Sequence, residues 1–251
     1  MSERDGYQPG VPAWIEAWES DVDAASEFYS RLFGWEAADG GRFTLRGRDV
    51  AGVAQGSPVG WTVHVWVDDA AETARRVVEA GGELVDGPSG GTVVFRDPGG
   101  ALLAAREPAG HAGARVVNEP SAWSWAHLFT RDGEGARAFY GEVFGWATEP
   151  FGPATMFRLP GFVGGEPQQP VPRDVVAGME EMTGAGFPPE APPQWRVDFW
   201  VDDVDAKVAR ANELGGRTLV PAFDTPINRQ AVLVDPQGAV FSVSRITLPS
   251  G

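Results

Sequence analysis

The chain contains no cysteine, which excludes disulfides, thiolate metal sites and a cysteine nucleophile. Histidine is nearly as scarce. His64, His111 and His127 are all there are in 251 residues, so a histidine-rich metal centre has little to draw on. No apolar run approaches the roughly 18 residues needed to span a bilayer. The first ten residues, MSERDGYQPG, lack the basic-then-apolar order of a secretion signal and read as a loosely held leader. A cytoplasmic location is the expectation. Positive charge is also short: 20 Lys plus Arg stand against 35 Asp plus Glu, giving −15 and a pI near 4.6. That balance disfavours nucleic acid and anionic membranes and leans toward cationic ligands. Gly81-Gly82 and Gly215-Gly216 fall where helices end rather than start, so no phosphate-binding loop is read. No serine-nucleophile motif is visible.

What the chain does have is tryptophan, ten in all, within a composition that is 43% hydrophobic and 11% aromatic, ample for packed cores. It also has repetition. Residues 11–35 read VPAWIEAWESDVDAASEFYSRLFGW and residues 121–146 read SAWSWAHLFTRDGEGARAFYGEVFGW. Phe28-Tyr29 and Phe139-Tyr140 lie 111 positions apart, as do Phe33-Gly34-Trp35 and Phe144-Gly145-Trp146. Each copy predicts a strand, a turn on an acidic residue, and an amphipathic helix stopped by glycine. In the first copy Ala24, Phe28 and Leu32 form the apolar stripe. Strand, acidic cap and helix return at Trp61 and at Trp195, the helix each time following Val-Asp-Asp and ending at Gly-Gly. An Asp-Pro-x-Gly turn then precedes the last strand, at Asp97 and at Asp235. The chain therefore predicts βαβββ four times, in two domains over 10–107 and 120–248. The Gly/Ala-rich stretch 108–119 is the linker and holds His111 as a solvated loop residue. About 23 extra residues in the second half fall in two Pro/Gly-rich loops, LPGFVGGEPQQPVPRD and TGAGFPPEAPPQ, candidates for a lid.

These motifs, in order and twice over, resemble the vicinal oxygen chelate superfamily, which includes glyoxalase I, bleomycin-resistance proteins and extradiol dioxygenases. The resemblance covers nearly the whole chain. It implies an α+β fold in which βαβββ modules curl into cup-shaped mixed sheets, helices outside and the site within. Whether modules pair within a half or swap between halves stays open. Metalloenzymes of that family carry His or Glu on the first strand of each module and Glu on a last strand. Counted from the motifs, those positions fall here on Trp14 and Trp125, Thr62 and Arg196, and Ala104 and Ser242. None is a good ligand: indole and methyl offer no lone pair, and a guanidinium brings charge of the wrong sign. The resemblance thus implies the fold without its metal, and no cofactor is expected.

Strand parity gives the sharpest reading of the residues. Ile15, Ala17, Val63, Val65, Ala126, Leu128, Val197, Phe199, Phe241 and Val243 form one apolar face suited to burial under helices. The alternate residues are Trp14, Glu16 and Trp18; Thr62, His64 and Trp66; Trp125, His127 and Phe129; and Arg196, Asp198 and Trp200. Indoles interleaved with titratable groups suit a cup for a flat ligand, with rings for stacking and polar groups for orientation. A carboxylate beside tryptophan suits an amine. Two plainer readings stand beside this one. The pairs Glu16–His64 and His127–Asp198 satisfy each other as core groups, or the indoles fill space that a ligand occupies in relatives. Trp35 and Trp146 read as packing residues.

The function expected is metal-free binding of an aromatic small molecule, a cationic one included, for sequestration of a natural product or assistance to its biosynthesis. The alternative is a glyoxalase, isomerase or oxygenase using a divalent metal or His127 and Asp198 as an acid–base pair. The second half, with its longer loops, is the expected working cup. The protein is expected as a monomer or homodimer.

Overall fold

The computed structural model describes residues 3–108, 112–164, 171–183 and 187–247. His111 and the middles of both Pro/Gly-rich stretches, 165–170 and 184–186, lie outside them. Four βαβββ modules follow one another: β1 (Pro12–Glu19), α1 (Val22–Phe33), β2 (Glu36–Ala38), β3 (Arg42–Leu45), β4 (Arg48–Gln55); β5 (Gly60–Trp66), α2 (Ala70–Glu79), β6 (Glu83–Ser89), β7 (Thr92–Arg96), β8 (Leu102–Arg106); β9 (Ala122–Thr130), α3 (Gly133–Phe144), β10 (Ala147–Phe151), β11 (Ala154–Arg158), β12 (Val175–Glu181); β13 (Gln194–Trp200), α4 (Val204–Glu213), β14 (Arg217–Asp224), β15 (Asn228–Val234), β16 (Val240–Ile246). Among the described residues no helix is long and apolar enough to cross a membrane.

All four helices start alike. Asp21, Asp69, Asp132 and Asp203 each accept a hydrogen bond from the backbone N–H three residues on, which satisfies an otherwise orphaned donor. Gly34 and Gly145 end α1 and α3 in the left-handed conformation, at φ 76° and 72°, which glycine adopts without penalty. On α1 Phe28 and Leu32 of the expected stripe are buried, and Ala25 completes it in place of Ala24, which is exposed. Residues 3–10 are pinned rather than loose. The Tyr7 hydroxyl donates to the Ala114 carbonyl at 2.6 Å, and Arg4 N–H donates to the Arg115 carbonyl in the linker.

Modules pair within a half. The strand orders are β2-β3-β4-β1-β5-β8-β7-β6 and β10-β11-β12-β9-β13-β16-β15-β14, with the two leading strands of each half antiparallel at the centre. The helices cover the apolar face of each sheet, and that same face meets the other half. Phe33 packs at a tilt against Phe199 across the boundary, ring centroids 4.7 Å apart, and the Tyr29 ring touches Phe43 and Trp61 of its own half and Phe241 of the other.

The repeated motifs are what interlock there. The Tyr29 hydroxyl donates to Asp235 Oδ2 at 2.9 Å and accepts from Trp61 Nε1 at 3.0 Å. Reciprocally, the Tyr140 hydroxyl donates to Asp97 Oδ2 at 2.8 Å and accepts from Trp195 Nε1 at 2.8 Å. Trp35 Nε1 donates to the Ser121 carbonyl, and Trp146 Nε1 to that of Gly10, each at 2.7 Å. Phe28 presses on Gly216 and Phe139 on Gly82, where an added Cβ would come within 3.2 and 2.9 Å of the rings. Phe-Tyr, Phe-Gly-Trp, Gly-Gly and Asp-Pro-x-Gly are thus one device, each half supplying the partner for the other.

Candidate functional site

The apolar parity set is buried throughout, every member at 1% exposure or less. The alternate set lies on the opposite face, lining the cup of each half. Register places the residues differently from simple counting. Trp14 is beside His64, which is beside Ala104, whereas Glu16 sits between Gly52 and Thr62. In the second half Trp125, Asp198 and Ser242 share a row, and His127 sits between Gly178 and Arg196. The titratable residues of each half are therefore diagonal neighbours rather than direct partners.

The first cup is the more closed, with only Glu16 and Trp18 of its six residues partly exposed. Trp14, Thr62, His64 and Trp66 are exposed by only 1%, 1%, 3% and 2%. Glu16 Oε2 lies 3.9 Å from His64 Nε2, an ionic contact too long for a hydrogen bond, and accepts from Trp18 Nε1 at 3.0 Å. The strand passes Gly52 so closely that a Cβ there would lie 3.0 Å from the Trp14 ring and 3.1 Å from Glu16 Oε1. Tyr7 covers Trp66, ring to ring at 6.4 Å. Indoles and the leader occupy this cup.

The second cup is more open: Trp125, His127, Arg196, Asp198 and Trp200 are all partly exposed. Asp198 and His127 are not hydrogen-bonded to each other. Asp198 Oδ2 accepts from Ser124 Oγ at 3.0 Å and from Ser244 Oγ, and Oδ1 has no partner among the described residues. His127 Nδ1 accepts from Trp125 Nε1 at 3.3 Å, which assigns the ring proton to Nε2; that nitrogen, closed to solvent, also lacks a partner there. Phe129 forms the floor. The His127 ring lies 4.8 Å from it, the Arg196 guanidinium 3.9 Å over it, and Phe187 packs on it at 5.5 Å. Phe187 opens a described stretch of the second Pro/Gly-rich insert. Arg131 holds that stretch down by donating to the carbonyls of Pro188, Pro189 and Ala191 at 2.8, 3.0 and 3.1 Å.

Burial sets the charges. It pushes the His127 imidazole down to about 3, aided by the neighbouring Arg196 cation, so the ring is neutral at ordinary pH. It pushes the Asp198 carboxyl up to about 6 against the hydrogen bonds from Ser244 and Ser124 and the pull of Arg196. It lowers Arg196 to about 10, opposed by Asp198 and Glu180, which leaves the guanidinium charged.

Three contributors are absent from the sequence-based set. Ser124 reaches the cup face only because a bulge between Asp198 and Phe199 shifts the register. Ser244 arrives on the parallel neighbour β16. Gly178 leaves the space the imidazole occupies, since a Cβ there would lie 2.6 Å from His127 Nδ1. The glycines had a signal: Gly52 and Gly178 interrupt corresponding strands of the two halves, and strand glycine marks a close approach.

With two eight-stranded modular sheets and a site on their inner faces in view, the class of protein is defined. A sequence model of the glyoxalase-like domain matches residues 15–105 and again 128–244, and the chain belongs to the glyoxalase-like family of vicinal oxygen chelate proteins. It is 36% identical over 269 residues to the anthracycline biosynthesis protein DnrV of Streptomyces peucetius, covering 94% of each chain. It is 34% identical over 267 residues to the putative glyoxylase CFP32 of Mycobacterium tuberculosis, covering 97% of each. Solved structures of like fold include the Mn(II)-bound glyoxalase of Novosphingobium aromaticivorans, with TM-score 0.61 and 15% identity over 94% of this chain and 82% of that one. The 2,3-dioxygenase LapB of Pseudomonas sp. KL28 aligns with TM-score 0.57 and 12% identity, over 97% and 96%. At such identities these structures share the fold alone.

The donor sets do not fit the metal that such folds hold. Each row meets it with an indole at Trp14 or Trp125. Each half offers two titratable ligands, Glu16 with His64 or His127 with Asp198, where a stable site needs three or four. Among the described residues no three His, Cys, Asp or Glu side chains cluster, and the Arg196 cation stands beside His127.

Proposed function

We propose that this protein binds an aromatic small molecule in the second cup, without a metal, and serves the biosynthesis or sequestration of a polycyclic natural product. One observation carries the reading. At matched positions Trp14, Thr62, His64 and Trp66 of the first cup are buried, whereas the second leaves Trp125, Trp200, His127, Arg196 and Asp198 partly exposed over a Phe129 floor. Flat apolar surface with a few convergent polar groups is the makeup of a small-molecule site. The likeness to an anthracycline biosynthesis protein over nearly the whole chain supports a planar, fused-ring ligand. Tryptophan fluorescence titrated with a panel of fused-ring quinones tests it. Saturable quenching that Trp125→Phe diminishes is the expected result; no quenching by any member overturns the reading.

A second reading, catalysis, has its own observation. An Asp198 carboxyl poised near 6 is a group able to move a proton near neutral pH, and the unpartnered Nε2–H of a neutral His127 is a donor able to orient the reacting group. On this reading His127→Ala abolishes turnover of a bound ligand while leaving its affinity within a few-fold. If ligand mixed with wild-type protein is recovered unchanged, binding is all the site does.

A further inference from the structure

We propose that the second cup holds its ligand by an anionic oxygen on the aromatic frame, a phenolate, enolate or carboxylate, bound by Arg196 together with His127. The inference rests on the reading that this cup takes an aromatic molecule, and it names the group by which that molecule is held. It runs against the overall charge of the protein, which is −15, and against an amine ligand in this cup.

The argument is one of unspent donors. Arg196 makes no hydrogen bond to any described residue. Its guanidinium rests on the Phe129 ring, and Asp198 and Glu180 act on it through charge. A guanidinium carries five N–H donors in a planar fork and no acceptor. Its direct cross-strand neighbour on the same face is His127, whose Nδ1 is occupied by Trp125 and whose Nε2–H is buried without a partner. A buried donor left unmade is costly, and here one adjoins a partly exposed guanidinium whose donors meet no described residue. What satisfies both is an acceptor, and a charged oxygen suits the half-buried cation best. An ammonium group would meet the repulsion of Arg196, with only the carboxylates of Asp198 and Glu180 to draw it in.

The first cup supplies the contrast. Thr62 stands where the second cup has Arg196, His64 where it has Asp198, and Glu16 where it has His127. At these matched positions the guanidinium beside the imidazole belongs to the second half, so the sign preference is a property of that cup and not of the shared fold.

Calorimetric titration with three probes of one shape tests the proposal: anthraquinone-2-carboxylate, anthraquinone-2-carboxamide and 2-(aminomethyl)anthraquinone. In the wild type the carboxylate should bind about tenfold or more tighter than the other two, the scale of a charge-assisted hydrogen bond in a buried site. Arg196→Met should erase the advantage of the carboxylate over the carboxamide, and Arg196→Lys should restore part of it. The wild-type ranking stands without any variant, and circular dichroism checks that the variants fold. An amine that binds as tightly as the carboxylate overturns the proposal, as does an advantage that survives Arg196→Met. If the carboxamide binds and the carboxylate gains nothing, the inference fails while the aromatic reading stands. If no probe binds, both fail.

Discussion

Glu19, the last residue of β1, offers the sharpest test of the interlock between the halves. Its carboxyl is wholly buried beside Asp235, the residue that receives Tyr29 from across the boundary. Asp235 is already supplied: its Oδ1 accepts from the backbone N–H groups of Gln237, Gly238 and Ala239 at 2.8–2.9 Å. Neither oxygen of Glu19 has a hydrogen-bond donor among the described residues. Burial first, and the adjacent Asp235 second, push the Glu19 carboxyl well above the usual carboxylate range, so the folded protein keeps its proton at neutral pH. In the unfolded chain a glutamate loses that proton near pH 4.3. The folded state therefore binds one proton more than the unfolded state over the interval between the two pKa values. Stability contributed by this group is full below the unfolded pKa and is lost as pH rises toward the folded one. The slope is about 1.4 kcal/mol per pH unit, or about 3 kcal/mol between pH 5.5 and 7.5. Glu19→Gln removes the titration and keeps the shape. Urea denaturation at half-unit pH steps should show the wild type losing about 3 kcal/mol relative to the variant between pH 5.5 and 7.5, a relative midpoint shift of about 1 M or more. Glu19→Thr, which copies Thr130 at the corresponding position of the second half, should flatten the profile in the same way. Two parallel profiles would refute the reasoning, because they would mean that Glu19 binds its proton no differently when folded.

The remaining expectations concern the same interlock and the second cup. Tyr140→Phe leaves Asp97 without its hydroxyl donor and Trp195 Nε1 without its acceptor; it should lower unfolding stability by about 1.5–3 kcal/mol, read by the same denaturation. Asp198, facing Arg196, Ser124 and Ser244, takes up its negative charge near pH 6, so affinity for a permanently anionic aromatic sulfonate should fall as pH rises from 5 to 7. Asp198→Asn should abolish that fall, and a pH-independent affinity in the wild type would contradict the placement. Gly178→Ala puts a methyl where the His127 ring lies, and should cost about 1–3 kcal/mol of stability and weaken binding together. Unchanged binding would show that the position of the imidazole does not matter.

Parity was legible in the sequence because it depends only on neighbours: a residue and the one two places on share a face wherever the strand goes. The caps at Asp21, Asp69, Asp132 and Asp203 were legible for the same reason. Which residue lies beside which was not. His64 falls beside Trp14, and Asp198 beside Trp125, because the two leading strands of each half run antiparallel, so positions that match from module to module fall on different rows. The purpose of the repeated motifs was hidden more deeply. Tyr29 and Asp235 are 206 positions apart, and Tyr140 and Asp97 are 43 apart in the opposite sense along the chain. Each motif read alone marks only a helix or a turn. The strands β10, β11 and β14 carry little apolar alternation, with most residues exposed or partly so, and only the modular repeat predicts them.

The division of labour between the two sheet faces explains how the copies could diverge. The interlock uses the helix-covered face and the loops at its ends, Trp61, Trp195, the Asp-Pro-x-Gly turns and the Phe-Tyr pairs, and it needs both halves to keep their motifs because each completes the other. The cup face takes no part in it. A change from Thr62 to its counterpart Arg196, or from Glu16 to His127, alters a side chain whose neighbours are other cup residues, and sites with no shared partners contribute to stability nearly independently. One cup was thus free to fill with its own indoles and become a wall, while the other kept its room and gained a cation. A fold whose two halves are bound to stay alike at their junction is unconstrained at its sites, and the sign of charge in each cup follows from residues that the junction never touches.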